Sequence, residues 1–164
     1  MGERILIRDL MAVGVATCPP KTPIVEVARL LLDKQLEAVV VLDMEGEAVG
    51  VVGQEELVKG YSRDNCRNLT AEDIMTENVP QIQPDLPLTA AAQIMRDQHV
   101  RVLFIMHHAG GIRYPAASLS YRHLLRHLAA SSDADLQDLG TAAARKSPIE
   151  SFIERRDAAR RGQA

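Results

Sequence analysis

The sequence predicts a mixed α/β (α+β) chain: two copies of a β-α-β-β-α unit followed by a helical tail. Three observations predict it. The tetrapeptide Arg8-Asp9-Leu10-Met11 recurs 64 positions later as Glu72-Asp73-Ile74-Met75, and the same offset carries Pro20 onto Pro84 and Pro23 onto Pro87. After each second proline comes an apolar row at i, i+3, i+4 and i+7, namely Ile24, Val27, Ala28 and Leu31, then Leu88, Ala91, Ala92 and Met95. That spacing is one face of a helix. Finally, Ala38–Leu42 and Ala48–Val52 are valine-rich apolar runs on either side of a turn supplied by Asp43, Glu45 and Gly46. Such runs suit strands covered on both faces.

The elements follow in order. In the first copy, strands are expected at Val15–Thr17, Ala38–Leu42 and Ala48–Val52, with helices at Pro23–Lys34 and Gln54–Gly60. Each proline opens its helix because its preset φ suits a helix start. In the second copy, strands are expected at Pro80–Ile82, Val102–Met106 and Ile112–Leu119, with helices at Pro87–Gln98 and Tyr121–Ala130. This copy carries about three extra residues around Gly110–Pro115. The organisation is residues 1–61 for repeat one, 62–70 for a linker, 71–131 for repeat two and 132–164 for the tail. Thr70 is the expected N-cap of a short helix. Units of about 60 residues are marginal alone, so two copies packed sheet to sheet would share a core.

Composition narrows the function. A net charge of −3 lacks the basic surface of a general nucleic-acid binder, and 3% aromatic content with no Trp offers few stacking platforms. No apolar run approaches the roughly 20 residues needed to cross a bilayer. The first nine residues are broken by charges and do not read as a secretory signal. Cys18 and Cys66 form neither a metal spacing nor a disulfide framework. A cytoplasmic protein with no membrane partner is the expectation.

The paired pattern of Asp-Leu-Met, Thr, Pro, helix, Val-Val-Val-Leu-Asp, Gly, Val-Gly-Val-Val and Glu-Leu resembles the cystathionine-β-synthase-type (CBS) domain, present twice over roughly residues 5 to 130. The resemblance implies a pseudo-two-fold pair with two clefts. It also implies assembly into a homodimer and a regulatory ligand such as AMP, ADP, ATP or S-adenosylmethionine, whose binding is transmitted to a partner protein. The family's ligand motif is Gly-h-x-Ser/Thr-x-x-Asp (h, hydrophobic), with the hydroxyl and helix-start amides meeting phosphate and the Asp accepting ribose hydroxyls. In copy one the motif falls on Gly50, Val51, Gly53 and Glu56: the hydroxyl is missing, its backbone N–H is left to approach an anion, and the carboxylate is one methylene longer. In copy two it falls on Ala117, Ser118, Ser120 and His123: the hydroxyl stays and an imidazole replaces the carboxylate. Thr17 matches the family's polar residue on the lead-in strand, and Gln81 is its divergent counterpart. Cys18 and Ile82 follow as wall residues, and Arg101 is a candidate for phosphate.

Each of these residues also has a plain structural reading. A hydroxyl followed three residues later by an acid is an ordinary capping arrangement, and Ser120 caps a helix with or without a ligand. An Arg at a strand start is commonly just a solvated end. His123 and His127 share a helical face, and His99, His107 and His108 lie elsewhere, but no cysteine or carboxylate completes a zinc-type set. Surface or pH-titrating roles are the preferred reading, with no metal expected. Catalysis has no support either: the chain has no Walker loop, dinucleotide fingerprint or zincin motif, and no base beside Cys18. In the tail, Ser147-Pro148-Ile149-Glu150 reads as a helix start leading into Ile149, Phe152 and Ile153, for a dimer contact or self-packing. The sequence therefore reads as a stand-alone regulatory module. The rival reading is a ligand-free oligomerisation scaffold with degenerate nucleotide sites.

Overall fold

The computed structural model describes residues 4–130, together with 153, 156, 157, 160 and 161. The tail's expected helix start at Ser147–Glu150 lies outside the described residues. Six α-helices are described over residues 4–130: α1 (Ile7–Leu10), α2 (Ile24–Asp33), α3 (Gln54–Tyr61), α4 (Ala71–Ile74), α5 (Leu88–Gln98) and α6 (Tyr121–Ala129). Six strands accompany them: β1 (Ala12–Val13), β2 (Thr17–Cys18), β3 (Ala38–Leu42), β4 (Ala48–Gly53), β5 (Val102–Ala109) and β6 (Ile112–Ser120). They form two three-stranded sheets, ordered β2-β3-β4 and β1-β6-β5.

Of the described residues, one compact unit holds those through Gly14, Pro80–Met106 and those from Pro115 on; the other holds Val15–Val79 and His107–Tyr114. Each unit thus takes its long helix and most of its strands from one repeat and its lead-in from the other. In the first unit, Ile7 N–H donates to the Leu86 carbonyl (2.9 Å), Arg8 N–H to Pro84 (2.9 Å), and Leu88 N–H to Ile5 (3.2 Å). In the second, Ala71 N–H donates to Thr22 (2.8 Å), Glu72 N–H to Pro20 (2.9 Å), and Ile24 N–H to Leu69 (3.0 Å). The three bonds in one unit are the counterparts of those in the other at the 64-residue offset. Leu6 bridges Pro87 as Thr70 bridges Pro23. The prolines therefore stand one position earlier than expected. Pro23 and Pro87 are N-caps with extended ψ of 139° and 150°, which frees their carbonyls to receive the first helical amides.

The expected apolar rows face inward. In the first unit Leu88, Ala91 and Met95 pack with Ile7, Leu10, Ile82, Leu103, Ile105, Ala117 and Leu119. In the second, Val27 and Leu31 pack with Cys18, Val39, Val41, Val52 and Ala71. The turn between β3 and β4 follows its chemistry. Asp43 Oδ1 accepts from the amides of Glu45 and Glu47 (both 2.9 Å), and Gly46 supplies a φ of 90°. The extra residues of the second copy lengthen a hairpin whose two-residue turn, Gly110-Gly111, has φ of 59° and 77°, as a type I′ turn requires. Its outer part belongs to the second unit, where Arg113 Nη2 donates to the Ala48 carbonyl (3.0 Å) and the Arg113 amide donates to Glu47.

Two expected strands differ. Val15–Thr17 is displaced to Thr17–Cys18, with β1 added ahead of it, and Pro80–Ile82 reduces to one parallel bridge between Gln81 and Phe104. Both segments are single-stranded additions to a sheet edge, so a few ladder bonds decide their extent.

The exchange of lead-ins has a direct test. Leu10→Ala, at a site 3% exposed, should cost about 2–5 kcal/mol in urea unfolding. Hydrogen exchange should accelerate first in α5 of the other repeat, and not in α2 of its own repeat.

Candidate functional site

The sequence candidates divide evenly between the units, and strand register divides them again. Across β2-β3-β4, Thr17 pairs with Val40 and Val40 with Val51; in the next row Cys18 pairs with Val41 and Val41 with Gly50. Alternate rows face opposite sides of a sheet. Cys18 and Gly50 therefore turn with Val39, Val41 and Val52 into the unit's own core, while Thr17, Val51 and Gly53 lie on the other face. The second set repeats this. Ile82 joins the core with Ala117 and Leu119, whereas Gln81, Ser118 and Ser120 share the alternate register of β6 and its neighbours with Phe104. Cys18, Gly50 and Ile82 thus lie on the core face of their sheets. One residue of register reverses the face of a strand side chain.

Gly50 has a packing reason to be glycine. A Cβ there would stand 2.6 Å from Met75 Sδ and 3.0 Å from the Thr76 carbonyl oxygen. The lead-in pairs antiparallel with the strand at this point: Val51 N–H donates to Thr76 O (2.9 Å) and Thr76 N–H to Val51 O (3.0 Å). Burial pushes the Cys18 thiol up to about 11 despite a hydrogen bond from Thr22, so it stays protonated at neutral pH.

The two helix starts are built alike. Gly53 is the N-cap of α3, in extended backbone, and its N–H donates to Glu56 Oε2 (2.8 Å). That amide, which the sequence leaves to an incoming anion, is held by the protein's own carboxylate. Glu56 Oε1 also accepts from Thr76 Oγ1 (3.0 Å). Sequence reasoning missed Thr76; its one signal is that it directly follows the second Asp-Ile-Met lead-in. Ser120, 7% exposed, is the N-cap of α6, and its N–H donates to His123 Nδ1 (2.9 Å). Its Oγ lies 3.0 Å from the same nitrogen. Accepting at Nδ1 puts the proton of the neutral ring on Nε2. The same half of a capping box closes α1 through Leu6 and Asp9 (2.9 Å) and α4 through Thr70 and Asp73 (2.8 Å). Three of these four starts use a carboxylate; α6 alone uses an imidazole. Thr70 is the N-cap of α4, as its sequence context predicts.

Burial, then the charges of Arg126 and Arg122, hold His123 below the ordinary imidazole pKa. Arg101 is exposed at the entry to β5, and its carbonyl accepts the N–H of Tyr121 (3.0 Å). Among the described residues no group of three His, Cys, Asp or Glu side chains is placed to hold a metal ion, and no helix is long and apolar enough to cross a membrane.

Two stretches, residues 7–63 and 71–130, each match the CBS domain family. The chain belongs to the CBS domain family. The CBS domain pair of protein MJ0100, solved in complex with 5′-methylthioadenosine and S-adenosyl-L-methionine, is 20% identical. It covers 77% of this chain and 98% of its own, with a TM-score of 0.68. CBSX2 in complex with AMP is also 20% identical, covering 76% and 96%, with a TM-score of 0.61. Homoserine O-acetyltransferase from Methanohalobium evestigatum is 27% identical over 97 residues, 59% of this chain; the chain spans 19% of that protein's length. The mixed α/β CBS fold with two repeats is therefore established, and the solved neighbours bear on fold.

Two outcomes follow. Gly50→Val should destabilise by about 1–3 kcal/mol in urea unfolding, because Met75 and the Thr76 backbone must move. For His123, the unfolded chain takes up the proton near pH 6.5 while the folded chain resists it. The stability His123 contributes is therefore full above that pH and is lost as pH falls through 6.5 towards the lowered folded value. His123→Gln, whose amide oxygen accepts the same bonds without titrating, should flatten the acid side of stability measured from about pH 8 to 5. Equal slopes in both proteins would refute this.

Proposed function

We propose that the chain is a regulatory ligand-binding CBS module, without catalytic activity of its own, that acts as a homodimer on a partner protein. Its ligand is an adenine nucleotide or S-adenosylmethionine. The observation that carries this reading is the pair of equivalent helix starts, α3 and α6. Each has its strand-end residue, Gly53 or Ser120, beside an N3 group, Glu56 or His123, at the positions where the family motif places phosphate and ribose contacts. Helix starts favour anions through their amides and dipole. The solved complexes of MJ0100 and CBSX2 support the ligand class by what they contain.

On this reading, Thr17, Val51, Gly53 and Glu56 form one set of contacts, and Gln81, Ser118, Ser120, His123 and Arg101 the other. The Ser120 hydroxyl makes the second set the stronger candidate for phosphate. Glu56 accepts from Gly53 on one oxygen and from Thr76 on the other, and each oxygen keeps a lone pair to accept a ribose hydroxyl. Ligand binding regulates a partner only to the extent that it favours one conformation over another. A second reading, a ligand-free scaffold, is favoured by this same engagement of Glu56 and His123 in caps.

Thermal denaturation with AMP, ADP, ATP and S-adenosylmethionine separates the two. A ligand at a hundredfold excess over its dissociation constant adds about 2.7 kcal/mol. The expected result is a raised midpoint with one of the four, weakened at least tenfold in affinity by Ser120→Ala and strengthened by His123→Asp, which restores a carboxylate. No shift with any of the four, in the unmodified chain or in either variant, favours the scaffold.

A further inference from the structure

Helix α6 carries two apolar rows, and its unit's core uses only one. Leu124 packs against that core. Tyr121, Leu125 and Leu128, at i, i+4 and i+7, form a second row on one face, with exposures of 39%, 63% and 82%. Arg122 and Arg126 each follow this row by one position and give it a basic edge. Helix α3 has exposed Val58 and Tyr61 at the corresponding places, but the edge there is Glu55 bridged to Lys59 at 2.9 Å, which cancels its charge. The α6 face is thus complementary to a helix with an apolar row and an acidic edge.

The tail supplies one. Ile149, Phe152 and Ile153 stand at i, i+3 and i+4, and Glu150 and Glu154 each follow an apolar position by one. Ile153 is helical, and the tail belongs to the same compact unit as α6. A return from one helix to the next takes about 2–8 residues, and residues 131–146 exceed that. The edges also fix the direction. When two helices pack antiparallel, the edges one position after each apolar row fall on the same side of the contact; packed parallel, they fall on opposite sides. Antiparallel packing therefore sets Glu150 towards Arg126 and Glu154 towards Arg122, and it is also the arrangement that a return loop produces.

We propose that the tail folds back and packs antiparallel on the outer face of α6 of its own chain, with Ile149 against Leu128 and with Phe152 and Ile153 against Leu125. The tether holds the tail at a high effective concentration, so the contact needs no second chain. This inference goes beyond the ligand reading and does not depend on it. The docked tail covers an apolar row, and a partner for that face must displace it.

Disulfide trapping in the full chain tests both the contact and its direction. Cys66→Ser removes the more accessible native thiol, and buried Cys18 stays. In that background, Leu128→Cys with Ile149→Cys should form an intrachain bond under copper phenanthroline at least tenfold faster than Tyr121→Cys with Ile149→Cys, because Tyr121 lies about 10 Å along the helix from Leu128. Glu150→Lys with Glu154→Lys should slow the faster pair about fivefold, the scale of two exposed ion pairs. Adding Arg122→Glu with Arg126→Glu should restore it. Circular dichroism melting checks that each variant remains folded. Equal rates for the two cysteine pairs, or no recovery on charge exchange, overturn the antiparallel contact. Bonds formed only between chains overturn it in favour of a second copy as the occupant.

Discussion

Backbone hydrogen bonds between each repeat's lead-in and the loop before the other repeat's long helix hold this structure in its present form. Ile5–Arg8 bonds to Pro84–Leu88, and Leu69–Glu72 bonds to Pro20–Ile24, with the same donors and acceptors at the same offset. The prolines make this possible. Pro23 and Pro87 have no N–H to satisfy, hold an extended ψ at the N-cap, and leave the segment ahead of each helix as an edge on which a lead-in can bridge. The lead-in then continues across its sheet. There Thr76 meets Val51, and the equivalent Ala12 pairs with Ser118. Gly50 is small because Met75 lies over it.

The site inherits its layout from that arrangement. Because the lead-in covers one face of each sheet together with the long helix, the residues of that face belong to a core whatever their place in a linear motif. The residues one register away keep the other face. At the ends of β4 and β6 the chain turns directly into α3 and α6, and both starts are closed by a side chain three residues in. The carboxylate at Glu56 and the imidazole at His123 do the same structural work, the first with a negative charge and the second as a neutral acceptor. A carboxylate complements the positive end of its helix. A protonated imidazole would lose its acceptor, and burial, then the charges of Arg126 and Arg122, hold the His123 pKa below its ordinary value.

Much of this was legible in the residues. The repeat, the two apolar helix faces, Ala38–Leu42, the Asp43 turn and the Thr70 cap all follow from short-range rules about periodicity and turn chemistry. The candidate site was legible as a set of positions and not as a surface. A motif read along the chain groups Gly50 with Gly53 and Thr17 with Cys18, yet in each pair a change of one or three residues reverses the face. Thr76 was hidden because its partner Glu56 is 20 residues away, and Arg113 because Glu47 is 66 residues away.

By itself the sequence determined where the long helices and the valine-rich strands fall and that they come twice, because those properties depend on the order of neighbours along the chain. Only the tertiary structure decided that the lead-ins are exchanged, that Gly53's amide is already engaged, and that Val58, Tyr61, Leu125 and Leu128 remain outside. An exposed apolar row and a buried one have the same spacing on a helix, and a segment's hydrogen-bonding groups do not record which distant backbone will receive them.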